Sequence, residues 1–145
     1  MISLQINNFT SHQFSQELLE KIVKKILGEK NSTLILTFVG PRRIKKLNKT
    51  LFKKNRVTDL LVLPKMQVSW KPFSIEEIKQ FDEGLGEIVI CPKEIKKLAR
   101  RHKLDFNIEF QKRIIKGTIL VSEKKSLSEK DLEKQINFYL SDLTK

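Results

Sequence analysis

The sequence is poor in the residues that build cross-links and metal sites. It has one cysteine, Cys91, so no intrachain disulfide can form, and it has only two histidines, His12 and His102. A catalytic zinc ion takes about three protein ligands, and these two histidines belong to different predicted elements. We therefore predict no disulfide partner, no metal and no cofactor, with Cys91 in the core and His102 on the surface.

Long apolar runs and low-complexity tracts are missing as well. No stretch approaches the roughly 18 apolar residues of a membrane helix, and residues 1–13 contain no apolar core of signal-peptide length. Neither a G-x-x-x-x-G-K-[ST] nor a G-x-G-x-x-G motif occurs, so the sequence contains neither of these two nucleotide-binding loops. We expect a cytoplasmic protein that does not enter a membrane.

The hydrophobic pattern predicts both strands and helices. The 145 residues fit one domain, 1–145, with one core. Apolar residues in strand-like runs predict strands near residues 2–6, 33–39, 58–63 and 85–90. Helices are predicted over 11–27, from Gly40-Pro41 onward, from Ser74, and over 92–103, 106–121 and 128–143. The predicted fold is α+β, with a mixed sheet of about four strands covered by about five helices.

Positive charge is what the sequence has in excess. Lys and Arg number 29 against 17 Asp and Glu, a formal net charge of +12. Such a balance favours a polyanionic partner, and most often that partner is a nucleic acid.

The charge is concentrated in residues 41–56, which contain no acidic residue. At about 100° per residue, the apolar Ile44, Leu47 and Leu51 share one side of the helix and the basic residues the other. A face that only keeps the protein in solution would mix signs, because like charges four residues apart repel. The helix after Pro92 has a similar basic surface. We predict phosphate contacts by Arg42, Lys45, Lys46, Lys49, Lys53, Lys54, Arg56, Lys96 and Arg100.

Three short motifs, in this order and spacing, resemble those of the YbeY endoribonuclease and rRNA maturation family. Residues 43–48, RIKKLN, are similar to the family's E-I-x-x-L-N, and residues 58–64, TDLLVLP, to T-D-V-L-S-F-P. Residues 86–91, GEIVIC, are similar to G-D-I-V-I-S. The resemblance spans nearly the whole chain and implies a YbeY-like fold, with ribosomal RNA or the small ribosomal subunit as partner.

The family's zinc signature, H-G-x-x-H-x-x-G-Y-D-H, follows a glutamate that lies seven residues before its first histidine. Placing that glutamate on Glu109 puts the signature's first glycine on Gly117, where the resemblance implies close helix packing. The three histidine positions then fall on Lys116, Leu120 and Ser126. The spacing is kept, but every ligand of the family's zinc is replaced.

Two other family positions differ in the same direction. The family's arginine after N-x-x-[YF] falls on Phe52, and its strand serine falls on Val62. The resemblance therefore implies a scaffold that has kept its packing residues and changed its catalytic ones.

Three functions are compatible with these observations. The first, which we favour, is an RNA- or ribosome-associated factor of the YbeY type without zinc-dependent cleavage. The second is an active endoribonuclease that processes rRNA with other residues, such as Lys116 with Glu109. The third is a protein-interaction module whose basic surface meets an acidic partner protein.

Overall fold

A computed structural model of the chain describes residues 2–28, 32–64, 84–122 and 127–143. The helix predicted to begin at Ser74 lies outside these residues. The elements follow in the order β1 (Ser3–Asn8), α1 (Gln16–Leu27), β2 (Thr33–Phe38), α2 (Pro41–Phe52), β3 (Leu60–Pro64), β4 (Gly84–Ile90), α3 (Pro92–His102), α4 (Phe106–Ser122) and α5 (Glu129–Leu143).

The four strands form one mixed sheet in the order β1-β2-β4-β3. Strands β1, β2 and β4 are parallel, and β3 pairs antiparallel with β4 at the edge. Parallel neighbours need a crossover connection, and α1 supplies it between β1 and β2. The predicted α+β fold with a mixed four-stranded sheet is confirmed.

Both faces of the sheet are covered, because alternate residues of the central strands point to opposite sides. Leu34, Leu36 and Ile88 belong to a large core with residues of α1 and α4, and half-buried residues of α5 pack against it. Val39 and Val89 belong to a smaller core on the other face, closed by Ile44 of α2. Helices α1 and α2 therefore leave β1 and β2 toward opposite faces of the sheet.

Helix α1 begins later than the sequence predicts. Ser15 is its N-cap, and the Ser15 hydroxyl accepts a hydrogen bond from the Leu18 N–H at 3.2 Å. Phe14 fits the helical spacing, yet it lies before the helix and packs its ring on Phe38 at 4.9 Å between centroids. Gly28 ends the helix as predicted, with a positive φ of 66°.

Two predictions about single residues are confirmed. Cys91 is fully buried in the smaller core, and burial raises the pKa of its thiol. His102 is exposed at the end of α3. Among the described helices, none is both long and apolar enough to cross a membrane.

Candidate functional site

Helix α2 separates apolar and basic residues as its sequence predicts. Ile44 is fully buried, and Leu47 and Leu51 are half-buried against the smaller core. The basic residues of the helix and of the loop that follows it are exposed. We call this set the basic surface; it consists of Arg42, Arg43, Lys45, Lys46, Lys49, Lys53, Lys54 and Arg56.

A buried asparagine fixes the loop that extends the basic surface beyond α2. Asn48 is 3% exposed, and its side-chain Nδ2 donates a hydrogen bond to the Arg56 carbonyl at 3.1 Å. Lys53 ends the helix in the left-handed conformation, with φ 59°, and its N–H reaches back to the Asn48 and Lys49 carbonyls. The loop cations are thereby held next to those of the helix.

Helix α3 also presents cations to solvent. Its Ile95 and Ala99 are buried, whereas Lys96 and Arg100 are exposed. These two predicted contact residues are therefore accessible, and whether they and the basic surface touch RNA stays a prediction.

Two of the three positions that match the family's zinc ligands, Lys116 and Leu120, lie on α4. Lys116 is half-buried, and Leu120 is exposed by 36%. Ser126 lies outside the described residues. Phe52, at the position of the family's arginine, is the last residue of α2 and is exposed by 37%.

Lys116 lines a cavity of about 370 Å³ between the start of β3, α4 and α5. The cavity contains three cations and four carboxylates. These are Lys112, Arg113 and Lys116, and Asp59, Glu109, Glu129 and Glu133. We call it the α4 cavity.

An ion-pair network occupies one wall of the α4 cavity. Arg113 Nε donates to Asp59 Oδ2 at 2.6 Å, and Arg113 Nη1 lies 3.5 Å from Glu109 Oε1. Lys112 Nζ lies 3.5 Å from the other Glu109 oxygen. Glu109 is only 8% exposed, so a buried carboxylate is balanced here by two cations.

The two matching positions on α4 hold side chains that are not zinc ligands. The Lys116 ammonium has no acceptor lone pair, and the Leu120 side chain has no donor atom. Within the described ranges, His, Cys, Asp and Glu side chains form no group of three that could hold a metal ion.

Gly117 packs closely against the sheet, as the resemblance implies. It is buried, and a Cβ built on it would meet Ile88 Cγ2 at 2.7 Å. The helix therefore approaches β4 at a distance that only glycine allows without displacement of a neighbour.

A second cavity, of about 640 Å³, lies where three parallel strands end, and it could not be predicted from the sequence. It is lined by residues 9–13 after β1, by residues 39–41 after β2, and by Pro92, Lys93, Lys96 and Phe106. We call it the strand-end cleft. The polar loop after β1 is the feature of the sequence that could have indicated this cavity. A loop indicates a cavity only when it is known which strands are neighbours and which run parallel.

His12 is the only histidine of the two that lines the strand-end cleft. Its ring packs on Phe106 and Phe110, with centroids 5.3 and 5.1 Å away. Burial, and then the positive charge of Lys96, lower the pKa of His12 below 6.5. The imidazole is therefore neutral at neutral pH.

Comparison with known proteins identifies the YbeY family. The family model "Endoribonuclease YbeY" matches residues 3–141. An Endoribonuclease YbeY of Phytoplasma australiense is 31% identical over 140 residues, covering 94% of this chain and 90% of that protein. The Thermotoga maritima protein of that name is 32% identical over 104 residues, covering 72% of this chain and 56% of its own length.

A solved structure supports the fold independently. The solution structure of a Thermotoga maritima protein superposes with a TM-score of 0.61, at 22% sequence identity. The match covers 99% of this chain and 89% of the other.

Proposed function

The chain belongs to the endoribonuclease YbeY family, and we propose that it is an RNA-binding factor of ribosomal RNA maturation that works without zinc-dependent cleavage. One observation carries the proposal: the positions that match the family's zinc ligands hold Lys116, Leu120 and Ser126, on a scaffold whose packing residues are kept. Its partner would be ribosomal RNA or the small ribosomal subunit.

The chemistry of these positions supports the loss of zinc. A lysine ammonium is protonated near neutral pH and repels a divalent cation. Lys116 also lies among other cations of the α4 cavity, where Lys112 and Arg113 already balance Glu109. Two of the four carboxylates of this cavity, Asp59 and Glu109, therefore have cationic partners that need no metal.

The exposure of the basic surface supports RNA as the partner. Its eight cations point to solvent along one helix and the loop after it. Each phosphate contact with a single strand makes the logarithm of affinity fall by about 0.7 per log unit of salt. RNA binding by several of these cations is therefore expected to weaken steeply as salt is raised.

Charge reversal on α2 tests the proposed RNA binding. The triple variant Arg42→Glu, Lys45→Glu, Lys49→Glu is expected to weaken binding to ribosomal RNA and to reduce its salt dependence. The matched control Lys21→Glu, Lys130→Glu, Lys134→Glu changes the net charge equally at exposed positions of α1 and α5. Equal loss in both variants, or binding that survives the α2 reversal, would contradict a role for the basic surface.

Metal content is measured in parallel on the purified protein. We expect no stoichiometric zinc after dialysis, because the matching positions lack three ligands. About one zinc per chain, retained through dialysis, would refute the proposed loss of the site.

A second candidate function, cleavage without zinc, rests on the shared position of Lys116 and Glu109 in the α4 cavity. This candidate predicts ribosomal RNA cleavage that persists in a metal chelator and disappears in Lys116→Met. The same activity in Lys116→Met would show that the cleavage comes from elsewhere.

A further inference from the structure

The strand-end cleft lies at the edge of the sheet where binding sites of parallel sheets form. Strands β1, β2 and β4 all end there, and the chain leaves β1 and β2 toward opposite faces. Divergent connections open a crevice beyond the strand ends. The volume of about 640 Å³ is within the range of small-ligand pockets.

The charged side chains of the cleft are of one sign. Lys93 and Lys96 line it, and none of the described lining residues is acidic. In the part of the chain that the structure describes, no carboxylate lies within ion-pair distance of either lysine. The α4 cavity, with four carboxylates, differs in this respect, so an anion is favoured in the strand-end cleft.

An exposed aromatic ring stands at the border of the cleft. Phe9 is 56% exposed, and the Arg43 guanidinium lies over its ring, 4.4 Å from the centroid. Arg43 belongs to the basic surface, so this contact joins the cleft to α2. A planar apolar ring beside cations is the arrangement that proteins use to stack an unpaired base.

The loop that carries Phe9 and His12 is held in place by hydrogen bonds. Asn8 Oδ1 accepts from the Thr10 N–H at 2.9 Å and from the Thr10 hydroxyl at 2.7 Å. Asn8 Nδ2 donates to the His12 carbonyl at 2.9 Å. A ligand would therefore meet a loop that is already ordered, which lowers the entropy cost of binding.

We propose that the strand-end cleft holds one nucleotide of a single-stranded RNA, with its base stacked on the face of the Phe9 ring opposite Arg43 and its phosphates at Lys93 and Lys96. The inference rests on the proposed function, because it specifies which part of the RNA is bound and where. The site is distinct from the family's zinc positions: Phe106 and Lys116 are ten residues apart on α4, about 15 Å along the helix axis.

Substitution of Phe9 separates base stacking from charge. Binding of a short oligouridylate and of an RNA duplex of the same length is measured by fluorescence anisotropy. Phe9→Leu is expected to weaken oligouridylate binding about 10-fold and to leave duplex binding unchanged, because paired bases cannot stack on the ring. Phe9→Trp is expected to restore binding. The control Phe138→Leu alters another exposed phenylalanine, which is outside the cleft.

Substitution of the two lysines tests the phosphate contacts. Lys93→Glu with Lys96→Glu is expected to lower the salt slope for oligouridylate by about 1.4, which is two contacts at about 0.7 each. Lys97→Glu with Arg101→Glu makes the same charge change at exposed positions of α3 that do not line the cleft. This pair is expected to keep the slope.

The two histidines report where the RNA binds, independently of how tightly it binds. His12 lines the cleft and His102 does not, so the NMR spectrum contains one imidazole at the site and one reference. Oligouridylate is expected to shift the His12 ring resonances, and the duplex is expected to leave them in place.

The outcomes distinguish the inference from the proposed function. If the α2 reversal weakens RNA binding but Phe9→Leu, the lysine pair and the His12 resonances behave as their controls, the cleft inference is wrong and the function stands. If the unmodified protein binds neither RNA, the proposed function fails and the inference with it. If polyglutamate displaces oligouridylate, and if Phe9→Leu leaves oligouridylate binding unchanged, the cleft binds an acidic protein. This outcome also overturns the inference.

Discussion

Gly117 provides the sharpest test of the packing between α4 and the sheet. In a helix interior, alanine is favoured over glycine by about 1 kcal/mol, so Gly117→Ala would ordinarily stabilise the protein. Here the new Cβ would lie 2.7 Å from Ile88 Cγ2, and 3.2 and 3.3 Å from Cδ1 and Cγ1 of the same residue. Carbon atoms in favourable contact lie about 3.5–4.0 Å apart, so the closest pair overlaps by about 1 Å.

Ile88 has little freedom to move away. It is fully buried in β4, and β4 is paired with β2 on one side and β3 on the other. Its clashing atom is attached directly to Cβ, and branching at Cβ restricts rotation about χ1. Overpacking of a core typically costs about 1–3 kcal/mol. We therefore expect Gly117→Ala to lose the whole gain in helix propensity and to destabilise the protein by up to about 2 kcal/mol.

Urea unfolding of a double-mutant cycle measures this strain. Ile88→Leu removes the Cγ2 branch at nearly constant volume, so the double variant with Gly117→Ala should recover much of the loss. Ile88→Val keeps a methyl group at the position of Cγ2 and should recover little. A Gly117→Ala variant about 1 kcal/mol more stable than the unmodified protein, as helix propensity alone predicts, would refute the reasoning. Equal recovery by valine and leucine would refute it as well.

Two further predictions concern charged groups near the cavities. Arg113→Met removes the 2.6 Å partner of Asp59 and one of the two cations beside Glu109, so urea unfolding should show a loss of about 1–3 kcal/mol; an unchanged free energy would contradict a structural role for this pair. The folded-state pKa of His12 is lowered, so its contribution to stability is full above pH 6.5 and is lost as pH falls through the folded pKa. The stability difference between the unmodified protein and His12→Gln should therefore shrink on acidification, and a difference independent of pH would contradict the lowered pKa.

Structure could be predicted best from the sequence where a residue pattern is compatible with a single arrangement in the fold. Helix α2 could be placed with its faces correctly assigned, because an unmixed basic face and an apolar face admit only one orientation on a core. The close packing of Gly117 was an implication of the resemblance to the YbeY signature, which places its glycine there, and the structure agrees with it.

The start of α1 shows where local pattern misleads. Phe14 has the helical spacing to Leu18 and Ile22, so the sequence predicts a helix that includes it. In the structure the ring instead packs on Phe38 from the loop before the helix, and Ser15 caps the first turn. The spacing of apolar residues indicates which side chains pack against the core. It does not indicate whether the backbone at each of them is helical.

The strand-end cleft depends on long-range information that no single segment contains. Residues 9–13, 39–41 and 92–96 meet only because β2 lies between β1 and β4 and all three run parallel. The RNA-contact residues that the sequence predicts include Lys96 but not Lys93 or Arg43. Their possible role is visible only in the structure, where Lys93 lines the cleft and Arg43 contacts the Phe9 ring.

The two cavities along α4 differ in what they can attract. In the α4 cavity, Arg113 pairs with Asp59, and both Arg113 and Lys112 pair with Glu109. A polyanion would meet four carboxylates there. The strand-end cleft has unpaired lysines and no acidic lining among the described residues, and it adjoins the basic surface through Arg43. Electrostatic attraction of an RNA strand therefore favours the cleft over the α4 cavity. The proposed loss of zinc at positions 116 and 120 would leave RNA binding in the cleft intact, because neither residue lines it.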